Sequence, residues 1–259
     1  MVAANPNTVL ALMGPTAVGK TALALALRES LPVEIISVDA SQVYRGLDIG
    51  TGKPTWEYRV LGRSPWIEPR TSEFGPVYQI DGVDHYGLDL VEPESRFTLT
   101  DWLAFARPLI SNLTTRGVQP VIVGGTGLYL RALINGFSPA PTDPEIRAKY
   151  EALPIGELRD QLEAVDPITA KREAGNARRL IRALEVFGLT GRPISDPKNT
   201  DLLDAIVIAP KVDRTELYQR IDQRLHERFE VGLIEEVRSL IQAGVSVDWL
   251  KALGLEYGF

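Results

Sequence analysis

The residues best suited to chemistry form a glycine-rich run near the start of the 259-residue chain. The run Gly14-Pro15-Thr16-Ala17-Val18-Gly19-Lys20-Thr21 fits the pattern G-x-x-x-x-G-K-[ST] in full. In this pattern the glycines allow several backbone N–H groups to face one anion, and the following helix adds a favourable dipole. Lys20 supplies a positive charge to the terminal phosphates, and Thr21 offers its hydroxyl to Mg²⁺. The motif predicts binding of a di- or triphosphate, but it does not say what becomes of the phosphate.

Two further candidate positions follow apolar runs that read as buried strands. Asp39 comes directly after Val33–Val38, at the edge where open α/β sheets bind their ligands. A carboxylate there binds Mg²⁺, accepts a proton, or simply ends a strand, and the sequence leaves these three interpretations open. The turn Gly124–Gly127 either holds Thr126 over the same crevice or only reverses the chain. The run before this turn, P-V-I-V-G-G, ends without an acidic residue, which disfavours a simple ATPase.

Short apolar runs that alternate with helical segments must position these residues. Strands are predicted at 8–13, 33–38, 85–90, 119–123 and 204–209, and helices at 21–31, at 98–115, from 128 onwards, and from Asp213 to about Ala243. This alternation predicts an α/β fold, with a P-loop-type parallel sheet flanked by helices. Residues 46–54 are rich in glycine and are predicted to form a loop, and residues 55–84 show no clear period and predict an irregular excursion.

A helical segment interrupts this alternation from Ser138, where the run S-P-A-P-T-D-P marks a boundary. We expect a helical insertion at 138–200 within an α/β core formed by 1–137 and 201–259. The insertion has 10 basic and 10 acidic residues, whereas the remainder has 18 and 24, so the basic character is concentrated locally. Arg178 and Arg182 lie opposite an apolar stripe at helical spacing. That face is either solvated or an anion-binding patch for nucleic-acid phosphates.

Composition excludes several other classes of function. The chain has no Cys, which rules out disulfides, a thiolate zinc site and a Cys nucleophile, and its two His disfavour a His-rich metal site. The net charge of −6 disfavours a uniformly basic nucleic-acid binder. No stretch approaches the roughly 20 apolar residues of a membrane span. We expect a cytoplasmic monomer without a membrane partner.

Several blocks of the sequence together resemble the tRNA dimethylallyltransferase (tRNA isopentenyltransferase) family. The matching blocks are 14–21, 35–54, 120–133, 176–186 and 218–224. The resemblance implies that the phosphate loop cradles the diphosphate of dimethylallyl diphosphate and that no ATP is consumed. It implies that the acceptor is N6 of adenine 37 in the anticodon loop of tRNA. It also implies that the helical insertion grips the anticodon stem-loop.

The resemblance further implies a role for each candidate residue. Lys20, Thr21 with Mg²⁺, and the loop N–H groups would stabilise the departing diphosphate, aided by Arg220 or Arg224. Asp39 would orient the N6 amino group and take its proton. The adenine site would be completed by Ser41, Gln42 and Thr126, and the RNA backbone would be contacted by Arg178, Arg179 and Arg182. The base must be flipped out of the loop to reach this site.

Three alternatives stay open at this point. An adenylate isopentenyltransferase, which makes cytokinin from AMP, ADP or ATP, shares the phosphate loop and Asp39 but binds a free nucleotide. A P-loop small-molecule kinase would use the insertion as a lid, although the block I-I-S-V-D-A-S-Q-V-Y does not fit it. A non-catalytic RNA-binding remnant is motivated by the ending K-A-L-G-L-E-Y-G-F, because family members continue with a basic stretch that also contacts tRNA. We therefore expect a shortened chain or a fragment, with weakened binding of tRNA.

Overall fold

A seven-stranded sheet forms the centre of the larger of two compact units, which comprises Met1–Gly136 and Leu202–Phe259. The computed structural model describes residues 8–56, 69–136, 140–195 and 202–258. The strands are β1 (Val9–Met13), β2 (Val33–Ser37), β3 (Arg70–Ser72), β4 (Gly75–Ile80), β5 (Val83–Tyr86), β6 (Gln119–Gly124) and β7 (Ala205–Ile208). Their order across the sheet is β3-β4-β5-β2-β6-β1-β7.

Five of these strands, from β5 to β7 in that order, run parallel. Ile35 of β2 is in register with Val121 of β6 on one side and with His85 of β5 on the other. Every residue of β2 is buried, as expected for a central strand covered on both faces. Parallel strands end at the same edge of a sheet, so the segments that follow β1, β2 and β6 meet there. The predicted α/β fold with a parallel sheet is confirmed.

The edge formed by β3 and β4 differs from the prediction. β3 pairs antiparallel with β4, and β4 pairs antiparallel with β5, so the complete sheet is mixed. The prediction of an irregular excursion over 55–84 is therefore wrong for its described part, and its positions 57–68 lie outside the described residues. Asp81 and Gly82 both have positive φ, of 49° and 76°, which suits the tight turn of a β-hairpin. The Asp-Gly signal was present in the sequence but was obscured by neighbouring Pro and Gly residues.

Helices α1 (Lys20–Ala26), α2 (Leu99–Thr115) and α3 (Gly127–Ile134) connect the parallel strands. α1 is shorter than predicted and continues as a 3-10 turn at Leu27–Glu29. Its buried residues join one core cluster with β1, β2 and β6. α2 begins after Thr98, whose side chain forms a capping box with Asp101, and Trp102 Nε1 donates to the Ser37 carbonyl at 3.0 Å. These contacts fix the end of β2, from which Asp39 projects.

The smaller unit, Phe137–Asp201, consists of four helices in its described part. They are α4 (Pro144–Glu151), α5 (Ile155–Glu163), α6 (Pro167–Arg172) and α7 (Ala177–Thr190). Asp143, Asp166 and Asn176 cap three of them through side-chain acceptors. Buried leucines of α5 and α7 meet in a core of their own, separate from that of the sheet.

Three helices follow β7: α8 (Arg214–Glu230), α9 (Leu233–Gln242) and α10 (Val247–Leu253). The prediction of one long helix to about Ala243 is wrong, because the chain turns at Gly232, whose φ is 109°. A residue with that φ cannot continue an α-helix, and α9 starts a new one. Leu240 and Leu250 pack with Val43 and Leu47 in a second hydrophobic cluster of the larger unit, which includes part of the Gly-rich segment 46–54. Within the described ranges no helix has the length and apolarity required to cross a membrane.

Candidate active site

A cavity of about 460 Å³ opens within the larger unit at the carboxyl edge of the parallel strands. Its wall includes most of the phosphate loop, Asp39 and Gln42 after β2, two arginines of α8, and Thr51, Gly52 and Pro54. These groups come from four separate stretches of the sequence, which the parallel topology brings to one edge. The cavity therefore combines cations, backbone N–H groups and a carboxylate in one place.

The phosphate loop has the backbone conformation that a glycine-rich anion site requires. Gly14, Ala17 and Gly19 all have positive φ, and Ala17 adopts it at 63° despite having a side chain. Lys20 Nζ donates to the carbonyls of Gly14 and Pro15 at 2.9 and 2.7 Å, so its ammonium lies across the loop. Burial lowers the pKa of Lys20, and the nearby Asp39 carboxylate opposes that shift. Asp39 thus lies close enough to Lys20 for its carboxylate to act on the ammonium.

The remaining loop residues differ in what they present to the cavity. Thr16 and Thr21 line it, together with Pro15 and Ala17. Val18 is buried beneath the loop and its side chain contributes to the core, so only its backbone N–H suits the predicted contact with phosphate.

The Asp39 carboxylate is fixed by hydrogen bonds from the two residues of the turn that follows it, Ser41 and Gln42. Its Oδ1 accepts from the Ser41 N–H at 3.0 Å, the Ser41 hydroxyl at 2.7 Å and the Gln42 N–H at 3.4 Å. All three bonds reach Oδ1, so none of them occupies Oδ2. A carboxylate fixed through one oxygen can present its other oxygen in a defined direction, as proton transfer in an active site requires.

Two of the residues predicted to contact the adenine ring, Gln42 and Thr126, join the turns around the site by hydrogen bonds. The Gln42 amide accepts from the Ser37 hydroxyl at 2.9 Å and donates to the carbonyls of Thr51 and Gly52 at 3.3 and 3.1 Å. Thr126 Oγ1 accepts from the Ala40 N–H at 3.1 Å, which ties the turn after β6 to the turn after β2. Gln42 lines the cavity, whereas Thr126 is not one of its lining residues. Contact of these residues with an adenine stays a prediction.

Two of the arginines of α8 approach the phosphate loop. Arg224 Nη1 donates to Thr16 Oγ1 at 3.1 Å, and Arg220 Nη1 approaches the Ala17 carbonyl at 3.4 Å while its Nη2 pairs with Glu216 at 2.6 Å. Burial, reinforced by the neighbouring Arg228 charge, lowers the pKa of Arg224 to about 10. Arg224 is still a cation at neutral pH and lines the cavity, so it is better placed than Arg220 to contact an anion there.

A third arginine and a partly buried carboxylate were missed by the sequence reasoning. Glu236 of α9 accepts from three consecutive backbone N–H groups, those of Asp48, Ile49 and Gly50, at 2.9, 2.7 and 3.2 Å. Arg228 donates to the Gly50 carbonyl at 3.2 Å and is buried beside Arg224. In the sequence, Glu236 lies on the same face of α9 as its apolar residues. A charged residue on an apolar helix face was the feature that could have indicated its role.

Lys53 is the second buried charge near the site that sequence reasoning did not single out. Its side chain is fully buried, and Nζ donates to the Tyr44 carbonyl, Asp48 and Asp89 at 2.7, 2.7 and 2.5 Å. Tyr78 of β4 donates to the same Asp89 at 2.6 Å. All three ammonium protons have acceptors, so the group joins the segment 46–54 to the antiparallel edge of the sheet.

The arginines predicted to contact RNA occupy different environments within the smaller unit. Arg178 is exposed, and Arg179 pairs with Glu173 at 2.8 Å. Arg182 instead packs inward: it pairs with the fully buried Glu185 at 2.7 Å and donates to the Pro141 and Ala140 carbonyls at 3.0 and 2.6 Å. The expectation that Arg182 lies opposite the buried face is therefore wrong, because Glu185 extends that face around α7.

Comparisons with known proteins agree on one family. The family model described as IPP transferase matches residues 42–258, and the one described as isopentenyl transferase matches 7–75. The tRNA dimethylallyltransferase 1 of Citrifermentans bemidjiense is 40% identical over 252 residues, which is 95% of this chain and 75% of the relative. The tRNA dimethylallyltransferase of Geobacter sulfurreducens is 38% identical over 263 residues, covering 97% and 78%. A tRNA isopentenylpyrophosphate transferase from Bacillus halodurans has a similar crystal structure, with a TM-score of 0.59, 34% identity and coverage of 95% and 76%.

Proposed function

The chain belongs to the IPP transferase family, and from its cavity we infer that it transfers a dimethylallyl group from dimethylallyl diphosphate to N6 of adenine 37 in tRNA. One observation carries this proposal: Lys20 and Arg224, cations suited to a diphosphate, line the same cavity as the anchored carboxylate of Asp39. A diphosphate leaving group and a proton acceptor are what alkylation of an amino group requires.

Departure of the diphosphate is the first part of the reaction. The bond between the prenyl C1 and the bridging oxygen breaks, and the oxygen keeps the electron pair. Lys20, the N–H groups of the phosphate loop and Arg224 stabilise the charge that develops there. Arg220 contributes from the rim of the loop, where it already pairs with Glu216.

Magnesium is the metal that suits this set of donors. The described part of the chain has no cluster of three or more His, Asp or Glu that could hold a metal ion. Mg²⁺ commonly binds through one or two protein oxygens together with substrate phosphates and waters, and the Thr21 hydroxyl in the cavity wall fits that mode. When bound, the ion would neutralise charge on the diphosphate.

Attack by the adenine amino group is the second part of the reaction. The N6 nitrogen forms a bond to C1 and must lose one proton, since it would otherwise remain a cation. Asp39 accepts that proton, with its orientation fixed by the bonds that Ser41 and Gln42 donate to Oδ1. Ser41 and Gln42 therefore act through Asp39, in addition to any contact with the base.

Recognition of tRNA falls to the helical unit 138–200 in this proposal. Arg178 is exposed, and Arg179 presents an exposed guanidinium although it pairs with Glu173, so both suit phosphates of the anticodon stem. Arg182 supports the fold of the unit. The adenine leaves the anticodon loop to enter the cavity, as bases generally do when chemistry is performed on them.

The proposal is tested by supplying dimethylallyl diphosphate and Mg²⁺ with either tRNA or AMP, and identifying the product by mass. We expect prenylated tRNA, released diphosphate and no ADP, with Lys20→Ala inactive and the exposed Lys251→Ala active as a matched control. Prenylated AMP as the main product would favour an adenylate isopentenyltransferase. Stoichiometric ADP from added ATP would favour a kinase.

A further inference from the structure

Arg228 and Glu256 form an ion pair at the cavity that the proposed reaction does not use. Arg228 lines the cavity and is 6% exposed, and its guanidinium pairs with the Glu256 carboxylate in the 3-10 turn Leu255–Gly258. The same Nη1 donates to the Gly50 carbonyl at 3.2 Å. A cation that could attract a phosphate therefore already has a carboxylate partner within the protein.

Arg224 and Arg228 lie one turn apart on α8 and converge on Gly52 in the cavity wall. A Cβ atom added to Gly52 would lie 2.3 Å from Nη2 of Arg228 and 3.3 Å from Nη2 of Arg224. Gly52 also has a φ of 61°, so both its conformation and this close contact favour glycine. The two guanidinium groups are therefore neighbours, and two positive charges act on the same part of the cavity.

The charges around these two arginines partly cancel. Burial lowers the pKa of Arg224, and the Arg228 charge adds to that shift. The Glu256 and Glu227 carboxylates oppose it. Glu227 is exposed and accepts from Gln223 at 2.8 Å, so solvent and salt screen its charge. Only 22% of the Glu256 side chain is exposed, so of these two carboxylates Glu256 offsets the arginines more strongly.

The turn that carries Glu256 is anchored by the residue that follows it. Tyr257 is buried, and its hydroxyl donates to Glu236 at 2.5 Å. Its ring packs against Gly50, where an added Cβ atom would lie 2.4 Å from Tyr257 Cζ. Tyr257 also belongs to the second hydrophobic cluster of the larger unit. Because these contacts do not involve the ion pair, a neutral residue at position 256 should leave the turn folded.

An anion that enters the cavity is subject to both charges of this pair. The arginines attract a diphosphate, whereas the Glu256 carboxylate repels it, and the partial burial of the groups strengthens both effects. Strong attraction favours binding of the prenyl donor but slows release of the product, inorganic diphosphate. The product has one more ionisable oxygen than the donor. A nearby carboxylate therefore repels the product more strongly than the donor.

We propose that Glu256 lowers the affinity of the cavity for inorganic diphosphate and thereby speeds release of this product after prenyl transfer. The inference rests on the proposed function for the identity of the anion, and it adds control of product release to it. Glu256 acts through its charge and through its partner Arg228, so it is a positioning residue and takes no part in the bonds that break and form.

The test measures binding of inorganic diphosphate with Mg²⁺ by calorimetry, without any reaction. We expect Kd to fall about tenfold in Glu256→Gln, as for removal of one like charge near a partly buried site, and to rise by about the same factor in Arg228→Met. The double variant removes both charges of the pair and should have a Kd between those of the single variants. Glu230→Gln, exposed on α8, is the matched control and should keep the wild-type Kd.

Product inhibition provides a second measurement. With tRNA and dimethylallyl diphosphate as substrates, the inhibition constant of added diphosphate should fall in Glu256→Gln by the same factor as Kd. Glu256→Met removes the same charge without introducing an amide, and it should also bind diphosphate more tightly. This second variant covers the case in which Glu256→Gln fails to fold.

The outcomes separate this inference from the proposed function. Tighter diphosphate binding in the Glu256 variants, without prenylation of tRNA by the wild type, would support the inference and remove the proposed reaction. Prenylation by the wild type, with an unchanged or higher Kd in the Glu256 variants, would do the reverse, because loss of a residue that only holds Arg228 in place would weaken binding. An equal fall of Kd in Glu230→Gln would indicate an effect of net charge and would also overturn the role of Glu256. If the wild type bound no diphosphate, both proposals would fail.

Discussion

Helices α7 and α8 each carry a set of arginines at helical spacing, and the two sets differ in what their side chains contact. On α8, Arg224 donates to Thr16 and Arg228 to the Gly50 carbonyl, and both arginines line the cavity. On α7, Arg182 pairs with a buried carboxylate of its own helix, while Arg178 is exposed. The spacing is the same in both helices, so spacing alone does not distinguish a binding residue from a structural one. The group that each guanidinium contacts does distinguish the two roles.

The largest expected effect concerns Asp39, the carboxylate that lines the same cavity as two arginines of α8. Asp39→Asn keeps the size of the side chain and an oxygen that can accept the bonds from Ser41 and Gln42. It removes the capacity to take the N6 proton. We expect single-turnover transfer to slow by roughly a hundredfold to ten-thousandfold, with near-normal binding of tRNA and dimethylallyl diphosphate. Near-normal chemistry would leave Asp39 a positioning residue, and loss of diphosphate binding restored by high Mg²⁺ would make it a metal ligand.

Arg224 should show the next largest effect. Arg224→Ala removes a partly buried cation from the cavity wall. We expect kcat/KM for dimethylallyl diphosphate to fall roughly a hundredfold, about 3 kcal/mol of transition-state stabilisation. Arg220→Ala, which removes a guanidinium already paired with Glu216, is the comparison variant and should lose much less. Similar losses in both variants would show that the helix contributes a diffuse positive field. Such a result would remove the distinction drawn from their separate partners.

The third prediction concerns Arg182, where the change should appear in stability. Arg182→Ala leaves the fully buried Glu185 without its charge partner and frees the Ala140 and Pro141 carbonyls. We expect the free energy of unfolding to fall by about 2–3 kcal/mol in denaturant titration. The double variant Arg182→Met with Glu185→Leu removes both charges and should recover much of the loss. If Arg182→Ala were as stable as the wild type yet weakened tRNA binding, the α7 arginines would all be binding residues.

The sequence predicted features that depend on residues close together in the chain, and it did not predict contacts between residues far apart in it. The phosphate loop and the parallel strands were predicted because each is encoded within one short stretch. The contact of Arg224 with Thr16 joins residues 208 positions apart, and only the family resemblance pointed to it. Glu236 was missed because the sequence shows a charge on an apolar face, without showing the backbone N–H groups beside it. The prediction for Arg182 was wrong because Glu185 is buried only with Arg182 as its ion-pair partner, and the sequence does not show that pairing.

A smaller effect is expected from weakening the hydrogen bonds between Glu236 and the backbone of residues 48–50. Glu236→Gln keeps the shape of the side chain but removes the negative charge that receives three backbone N–H groups and the Tyr257 hydroxyl. Because the held segment includes the Gly50 carbonyl that anchors Arg228, we expect KM for dimethylallyl diphosphate to rise about tenfold. Glu235→Gln, next to it on α9 and exposed, is the matched control. A fall in thermal stability with unchanged KM would limit Glu236 to holding the fold.

The smallest expected effect returns to α7 and asks whether its exposed arginines bind RNA at all. Arg178→Ala removes a guanidinium from the exposed side of α7, so the core of the smaller unit should be unaffected. If Arg178 contacts one phosphate, Kd for tRNA should rise a fewfold, and the slope of log Kd against log salt should become shallower by about 0.7 to 0.9. Binding of dimethylallyl diphosphate should not change, since the cavity lies wholly within the larger unit. The control is Arg159→Ala on α5, whose guanidinium is also exposed and pairs at 3.5 Å with Asp160. Equal slopes for wild type and both variants would return α7 to an ordinary solvated helix face. A shallower slope in Arg178→Ala alone would show that the arginines of the two helices bind different substrates. Those of α8 would then bind the prenyl diphosphate, and the exposed arginine of α7 would bind the RNA.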